Sequence, residues 1–196
     1  ALCGAACEYA LMQAECGIDA FQVFDSNAFL IPAGAYRELS GRWNARIFAA
    51  LRGRAKTFLF TPLGADRFPE LAASGADAHS VYTGGDLAAI RRANPGNYAL
   101  QGNLDPLLLS RASPAEVSAK AREIVASQKP FGRHIFNLGH GILPDAKIEN
   151  VEALCAATGP VSSVLPTRPI RSRPMPVRNT ATPDAAFTTN VCIEKI

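Results

Sequence analysis

Three side chains stand where a folded α/β chain puts its chemistry. They are His140, Ser26 and Phe24. His140 lies between Gly139 and Gly141 at the end of the apolar run 134–138, where backbone without side chains can approach a ligand closely. A ring nitrogen there can contact that ligand; the structural alternative is a loop histidine bonded to a neighbouring carbonyl. Ser26 follows the short apolar run Phe21 to Phe24. Alternation along a strand puts Gln22, Phe24 and Ser26 on one face and Phe21, Val23 and Asp25 on the other. Phe21 and Val23 suit packing beneath helices, which leaves Phe24 and Ser26 pointing into a cleft. The structural alternative for Ser26 is a turn residue at a strand end. Asn103 and Asp105 read as caps for the following helix, and His79 and His134 as structural residues inside strands. No GxSxG elbow, GxGxxG fingerprint or P-loop occurs. The five cysteines, at 3, 7, 16, 155 and 192, are odd in number and form no CxxC pair. They read as reduced thiols acting as small apolar residues, and Cys3 with Cys7 alone makes no zinc site.

The elements that would position these residues alternate along the chain. Residues 2–16 suit a helix with Ala5, Tyr9, Met12 and Cys16 on one face. A strand at 21–24 follows, then a helical stretch over 35–54 in which Trp43, Ile47 and Leu51 recur every four residues. Strands are expected at 57–60, 78–82, 98–101 and 134–138, separated by helical patterns. Asp86 suits an N-cap, Asn94-Pro95-Gly96 a helix stop, and Ser113-Pro114-Ala115-Glu116 a capping box. A final helix at 147–157 should turn Val151, Leu154 and Cys155 inward. Gly17 and Gly75 stand at similar helix-to-strand joints 58 residues apart, a spacing of about two βα units. Five strands are too few for a closed eight-stranded barrel, which takes about 250 residues. The pattern therefore describes either a small open parallel sheet or the later part of a barrel, with sites at the carboxyl ends of the strands.

Composition narrows the function classes. The chain has 196 residues, 48% of them hydrophobic and 19% charged, enough for one sizeable core and too apolar for a disordered chain. No apolar stretch is long enough to span a membrane, and no secretory leader pattern is visible. Residues 1–159 carry 15 basic and 15 acidic side chains. Such a neutral body argues against a nucleic-acid platform. The net charge of +3 belongs to residues 160–196, which hold six of the 14 prolines and show no helical or strand period. That tail reads as irregular and disordered, a segment apart from the domain at 1–159.

Several strings resemble one family. Phe136-Asn137-Leu138-Gly139-His140-Gly141-Ile142-Leu143-Pro144-Asp145, followed by Glu149-Asn150-Val151, is similar to the carboxyl-terminal signature of uroporphyrinogen decarboxylase. Leu100 to Pro106, reading LQGNLDP, resembles a second string of that family, and Gln22-Val23-Phe24-Asp25-Ser26 resembles the strand bearing its substrate-binding serine. Order and spacing agree, over about Tyr9 to Ala157. The resemblance implies the later βα units of a (β/α)₈ TIM barrel, homodimeric when complete and cytoplasmic, with a plastid the alternative location. It also implies an enzyme that removes CO2 from the four acetate arms of uroporphyrinogen III, giving coproporphyrinogen III, without a metal or organic cofactor. Ser26 and His140 would contact substrate carboxylates and Phe24 would line the cleft floor.

The implied chemistry needs a cation. Protonating a pyrrole carbon makes the ring an electron sink, so the acetate can release CO2 without leaving a localised carbanion; the protein must stabilise that cation and orient a polyanion. The family's catalytic aspartate, its arginine-rich segment and a tyrosine belong to its earlier half, and no RQAGRY-like string occurs in this chain. The expectation is therefore no catalytic residue and no turnover within these residues alone. Two departures touch the cleft: Tyr82-Thr83-Gly84-Gly85 where relatives have Asp-Trp-Thr, and Asn27-Ala28-Phe29 where they tend to have Trp-Ala-Gly. Two other readings stand beside this one. A superfamily methyltransferase would need zinc held by an HxC pair, but each histidine is followed two residues later by Val81, Phe136 or Ile142. A non-catalytic barrel piece would at most bind a partner.

Overall fold

A computed structural model describes residues 1–159; the expectation for 160–196 lies outside the described residues. Five parallel strands form one sheet in the order β1-β2-β3-β4-β5: Ala20–Phe24, Lys56–Phe60, Ala78–Ser80, Ala99–Gln101 and His134–Ile135. Helices fill the links. These are α1 (Leu2–Glu15), α2 (Arg42–Leu51), α3 (Phe68–Ala72), α4 (Leu87–Ala93), α5 (Leu107–Arg111), α6 (Pro114–Gln128) and α7 (Ile148–Thr158). Parallel strands in sequential order, each reached through a helical crossover, are the arrangement of successive (β/α) units in a barrel.

The sheet has two unlike faces. On one, Leu59, Leu100, Val81 and Tyr98 meet Phe68, Leu71, Leu87, Ile90, Val117 and Ile124 in the main core. Phe21 and Val23 pack against Ile47 and Leu51 of α2 and Ala10 of α1. The other face carries Phe24, which is 68% exposed. The strand alternation read from the sequence thus matches the two faces of β1.

Local signals account for most boundaries. The Asp86 carboxylate accepts from the Ala88 and Ala89 N–H groups, and Ser113 with Glu116 forms the capping box that opens α6. Gly17 and Gly75 end their helices with φ of +92° and +76°, a region glycine enters without steric cost.

Three expectations fail on which face turns inward. In α1 the packed residues are Ala6, Cys7, Ala10 and Ala14, while Tyr9 and Met12 are about half exposed and Cys16 is exposed. Small side chains let α1 lie close against α2, and the large ones are displaced to the rim. Cys155 is also exposed, while the polar Asn150 is fully buried in its helix. The stretch before α2 opens with a π-turn at Arg37–Gly41. Trp43 is partly exposed beneath the guanidinium groups of Arg42 and Arg46, 4.4 and 5.8 Å from its ring centroid.

Candidate active site

The carboxyl ends of the strands carry a run of aromatic rings. Phe24 of β1 lies 5.8 Å from Phe60 of β2, between centroids. Phe60 in turn lies 6.1 Å from the His140 imidazole, edge-on at 71°, and His140 meets Tyr82 at 5.8 Å and 89°. His140 therefore reaches back over the strand ends from beyond β5 to the rings at β2 and β3. Phe24 and His140, distant in sequence, flank one ring. Ser26 stands exposed in the turn two residues after Phe24. Phe24, Phe29, Leu30, Tyr82 and Ile142 are all exposed, and every one of them lies at a strand's carboxyl end or in the link after it.

The backbone around His140 is fixed from three sides. Leu104 and Leu138 form an isolated parallel bridge, with the Gly139 N–H donating to the Leu104 carbonyl at 2.8 Å and the Leu104 N–H to Asn137 at 3.1 Å. A Cβ on Gly139 would stand 2.5 Å from the Thr83 backbone nitrogen, so only glycine fits. Gly141 faces open space. The first glycine thus serves close approach between two loops. Asn103 completes the frame. Its buried side-chain amide donates to the Tyr82 and Gly85 carbonyls at 3.1 and 2.7 Å, shaping the loop that carries Tyr82. It is not the helix cap expected; Asp105 is, accepting from the Leu107 N–H at 2.9 Å.

The strand end before Ser26 is held from behind. The Asp25 carboxylate accepts from the Tyr36 hydroxyl at 2.9 Å, the Ser40 hydroxyl at 2.5 Å and the Asn44 amide at 3.1 Å. Burial, with the charge of Asp25, pushes the Tyr36 phenol above its ordinary pKa, so it stays a neutral donor. The link after β1 is tied by Arg67, which donates to the Ile31 carbonyl at 2.8 Å and pairs with Glu70 at 2.8 Å.

The two remaining histidines lie elsewhere. His79 is buried between Phe68 and Tyr98, with rings 5.4 and 5.2 Å away, and burial lowers its pKa to about 4. His134 bonds the Gly102 carbonyl at 2.7 Å. Among the described residues no group of three or more His, Cys, Asp or Glu side chains is placed to hold a metal ion. Sequence reasoning missed Phe60 and Tyr82. The strand register pairs Phe24 with Phe60, a relation between distant segments that local sequence patterns do not carry.

Residues 1–159 match the family model described as uroporphyrinogen decarboxylase (URO-D). The chain belongs to the uroporphyrinogen decarboxylase family. It is 40% identical over 151 residues to the uroporphyrinogen decarboxylase of Acidiphilium cryptum, covering 75% of this chain and 42% of that relative. The corresponding enzyme of Cellvibrio japonicus is 35% identical over 160 residues, covering 79% of this chain and 45% of that protein. The chain thus spans less than half the length of the curated family members it matches. A solved methyltransferase from Methanosarcina mazei shares the fold, with a TM-score of 0.70 over 80% of this chain and 46% of that one, at 23% identity.

Proposed function

We propose that this chain forms the later-half wall of a uroporphyrinogen decarboxylase site, with uroporphyrinogen III as its substrate. The observation that carries the reading is the run Phe24–Phe60–His140–Tyr82 at the strand ends of a member of this family. A porphyrinogen offers an apolar face and anionic arms. The rings supply an apolar floor, and His140, against Phe60 and Tyr82, and Ser26, in the exposed turn after Phe24, supply donors for acetate carboxylates.

In each of four rounds a proton is added to a pyrrole carbon, and the acetate's C–C bond breaks as CO2 leaves. Its electron pair flows into the ring; the exocyclic carbon then takes a proton and becomes methyl, while the ring carbon gives up the proton it gained. The chain's own contribution is to bind and orient. The group that stabilises the cationic ring belongs to the family's earlier half, as does the arginine-rich carboxylate segment. The same reading makes the complete enzyme a cytoplasmic homodimer; no described helix is long and apolar enough to cross a membrane.

The test is anaerobic equilibrium dialysis of the purified chain against uroporphyrinogen III, with bound and product species separated after oxidation to porphyrins. Binding without coproporphyrinogen formation is expected, with His140→Ala and Ser26→Ala each weakening it about tenfold, the scale of one charge-assisted hydrogen bond. Unchanged affinity in both variants overturns the assignment of these residues, and robust turnover overturns the view that the earlier half is required.

A further inference from the structure

The opposite end of the sheet carries a hollow with a lining of different chemistry. An open hollow of about 560 Å³ lies between α4, the link 95–97 and the residues leading into β5, lined by Arg91, Arg92, Asn97, Phe131 and Arg133 among others. It precedes β4 and β5, so it lies at the amino-terminal end, away from His140. None of its lining residues is acidic, and among the described residues none of the three arginines has a carboxylate within 4.0 Å.

Its walls are built. Arg91 is buried and donates to the Tyr98 carbonyl at 2.8 Å and the Arg133 carbonyl at 3.2 Å. Its Nε is buried with no partner. Burial pulls the Arg91 guanidinium below its ordinary pKa, and the nearby charge of Arg133 adds to the depression. Arg133 itself holds a φ of +51°, the only non-glycine residue with positive φ among those described. Such a backbone is uncommon for a side-chain-bearing residue and is retained where surroundings demand it. The link 95–97 is closed around Tyr98: its hydroxyl donates to the Asn94 carbonyl, and a Cβ on Gly96 would collide with its ring.

We infer that this hollow binds a phosphate-type oxyanion of charge two or more, held by Arg92 and Arg133, with the buried charge of Arg91 behind them. Three cations beside one hollow repel each other, and the buried Arg91 is met by two carbonyls and the Tyr98 ring, 5.1 Å from its guanidinium carbon, but by no carboxylate among the described residues. A multivalent oxyanion supplies that charge and accepts from guanidinium forks in the geometry they favour. The Asn97 amide adds a donor, and the Phe131 ring offers a flat surface beside it. The site is independent of the porphyrinogen reading.

The test is calorimetric titration of the intact chain at fixed ionic strength with inorganic pyrophosphate and, separately, with ADP. Saturable pyrophosphate binding is expected, weakened about tenfold by Arg92→Ala and by Arg133→Gly, the latter chosen because glycine accepts the positive φ. Arg111→Ala, outside the hollow, should leave affinity unchanged. Equal affinity for the two ligands identifies the phosphate group alone as the recognised chemistry. Tighter ADP binding places a nucleotide there, its base against Phe131. A folded chain showing no saturable pyrophosphate binding overturns the site, as does equal weakening by Arg111→Ala.

Discussion

The His140 imidazole stands edge-on to the Phe60 ring, with centroids 6.1 Å apart and planes at 71°. Phe60 in turn touches Phe24, so a single β2 side chain connects the first strand's end to the loop beyond the fifth. The Phe60 ring thus lies between Phe24 and His140.

Removing it should loosen both neighbours. Phe60→Ala is expected to weaken porphyrinogen binding about tenfold by withdrawing one aromatic contact and the support of His140. Phe60→Leu should recover part of the loss by restoring bulk. Anaerobic dialysis of the two variants decides the matter; equal affinity in Phe60→Ala and the parent chain would mean that Phe60 is no part of the floor.

Asp25 offers a stability test at the same strand end. One of its carboxylate oxygens serves three donors from the segment around α2. Asp25→Ala should cost about 3 kcal/mol, because hydrogen bonds to a charged group are lost and the fully buried Tyr36 hydroxyl loses its acceptor. Asp25→Asn keeps an acceptor oxygen and should cost less. Urea denaturation midpoints give the ranking, and a cost below that of an ordinary surface substitution would show the network to be weak.

Much of this architecture was legible in the sequence because strand alternation and helix caps are local. Phe21 and Val23 go under the helices, Asp86 and Ser113 cap, and Gly17 and Gly75 take left-handed turns. What escaped depended on pairing between distant segments. Phe60 joins the rings through register with β1. Gly139 is required by Thr83, and Asn103 turns away from its own helix to the carbonyls of Tyr82 and Gly85. The inward face of α1 was misjudged because closeness to α2 favours alanine over Tyr9 and Met12, which hydrophobicity alone does not reveal.

Asn150 illustrates a polar group buried for its hydrogen bonds. Its side-chain amide donates to the carbonyls of Leu109 and Ala112 at 2.9 Å each and, more loosely, of Leu108 at 3.4 Å, tying α7 to the end of α5. Asn150→Leu keeps the volume but strands those carbonyls, at an expected cost of about 2–3 kcal/mol. Asn150→Asp, which trades a donor for a buried acceptor charge facing carbonyls, should cost more. Thermal or urea unfolding that ranked Asp above Leu in stability would contradict this role.

His79 links stability to pH. Both ring nitrogens are buried without partners, and burial first, then the charge of Arg91, lowers the folded-state pKa from 6.5 to about 4. The unfolded chain therefore binds a proton that the folded one refuses across that interval. The contribution is fully present above pH 6.5, declines as pH falls, and levels off below about 4, a loss of about 3 kcal/mol at ~1.4 kcal/mol per pH unit. Burial lowers the pKa of His134 as well, so it adds slope of the same sign. Glu70 and Asp77, whose pKa values are lowered from 4.5 and 3.8, contribute losses at the acid end, as their carboxylates protonate. His79→Leu removes the titrating ring and relieves two stranded nitrogens. Urea midpoints between pH 7 and 4 should then fall less steeply in the variant than in the parent, whatever the absolute stability of each. Parallel curves would place the source of acid sensitivity elsewhere.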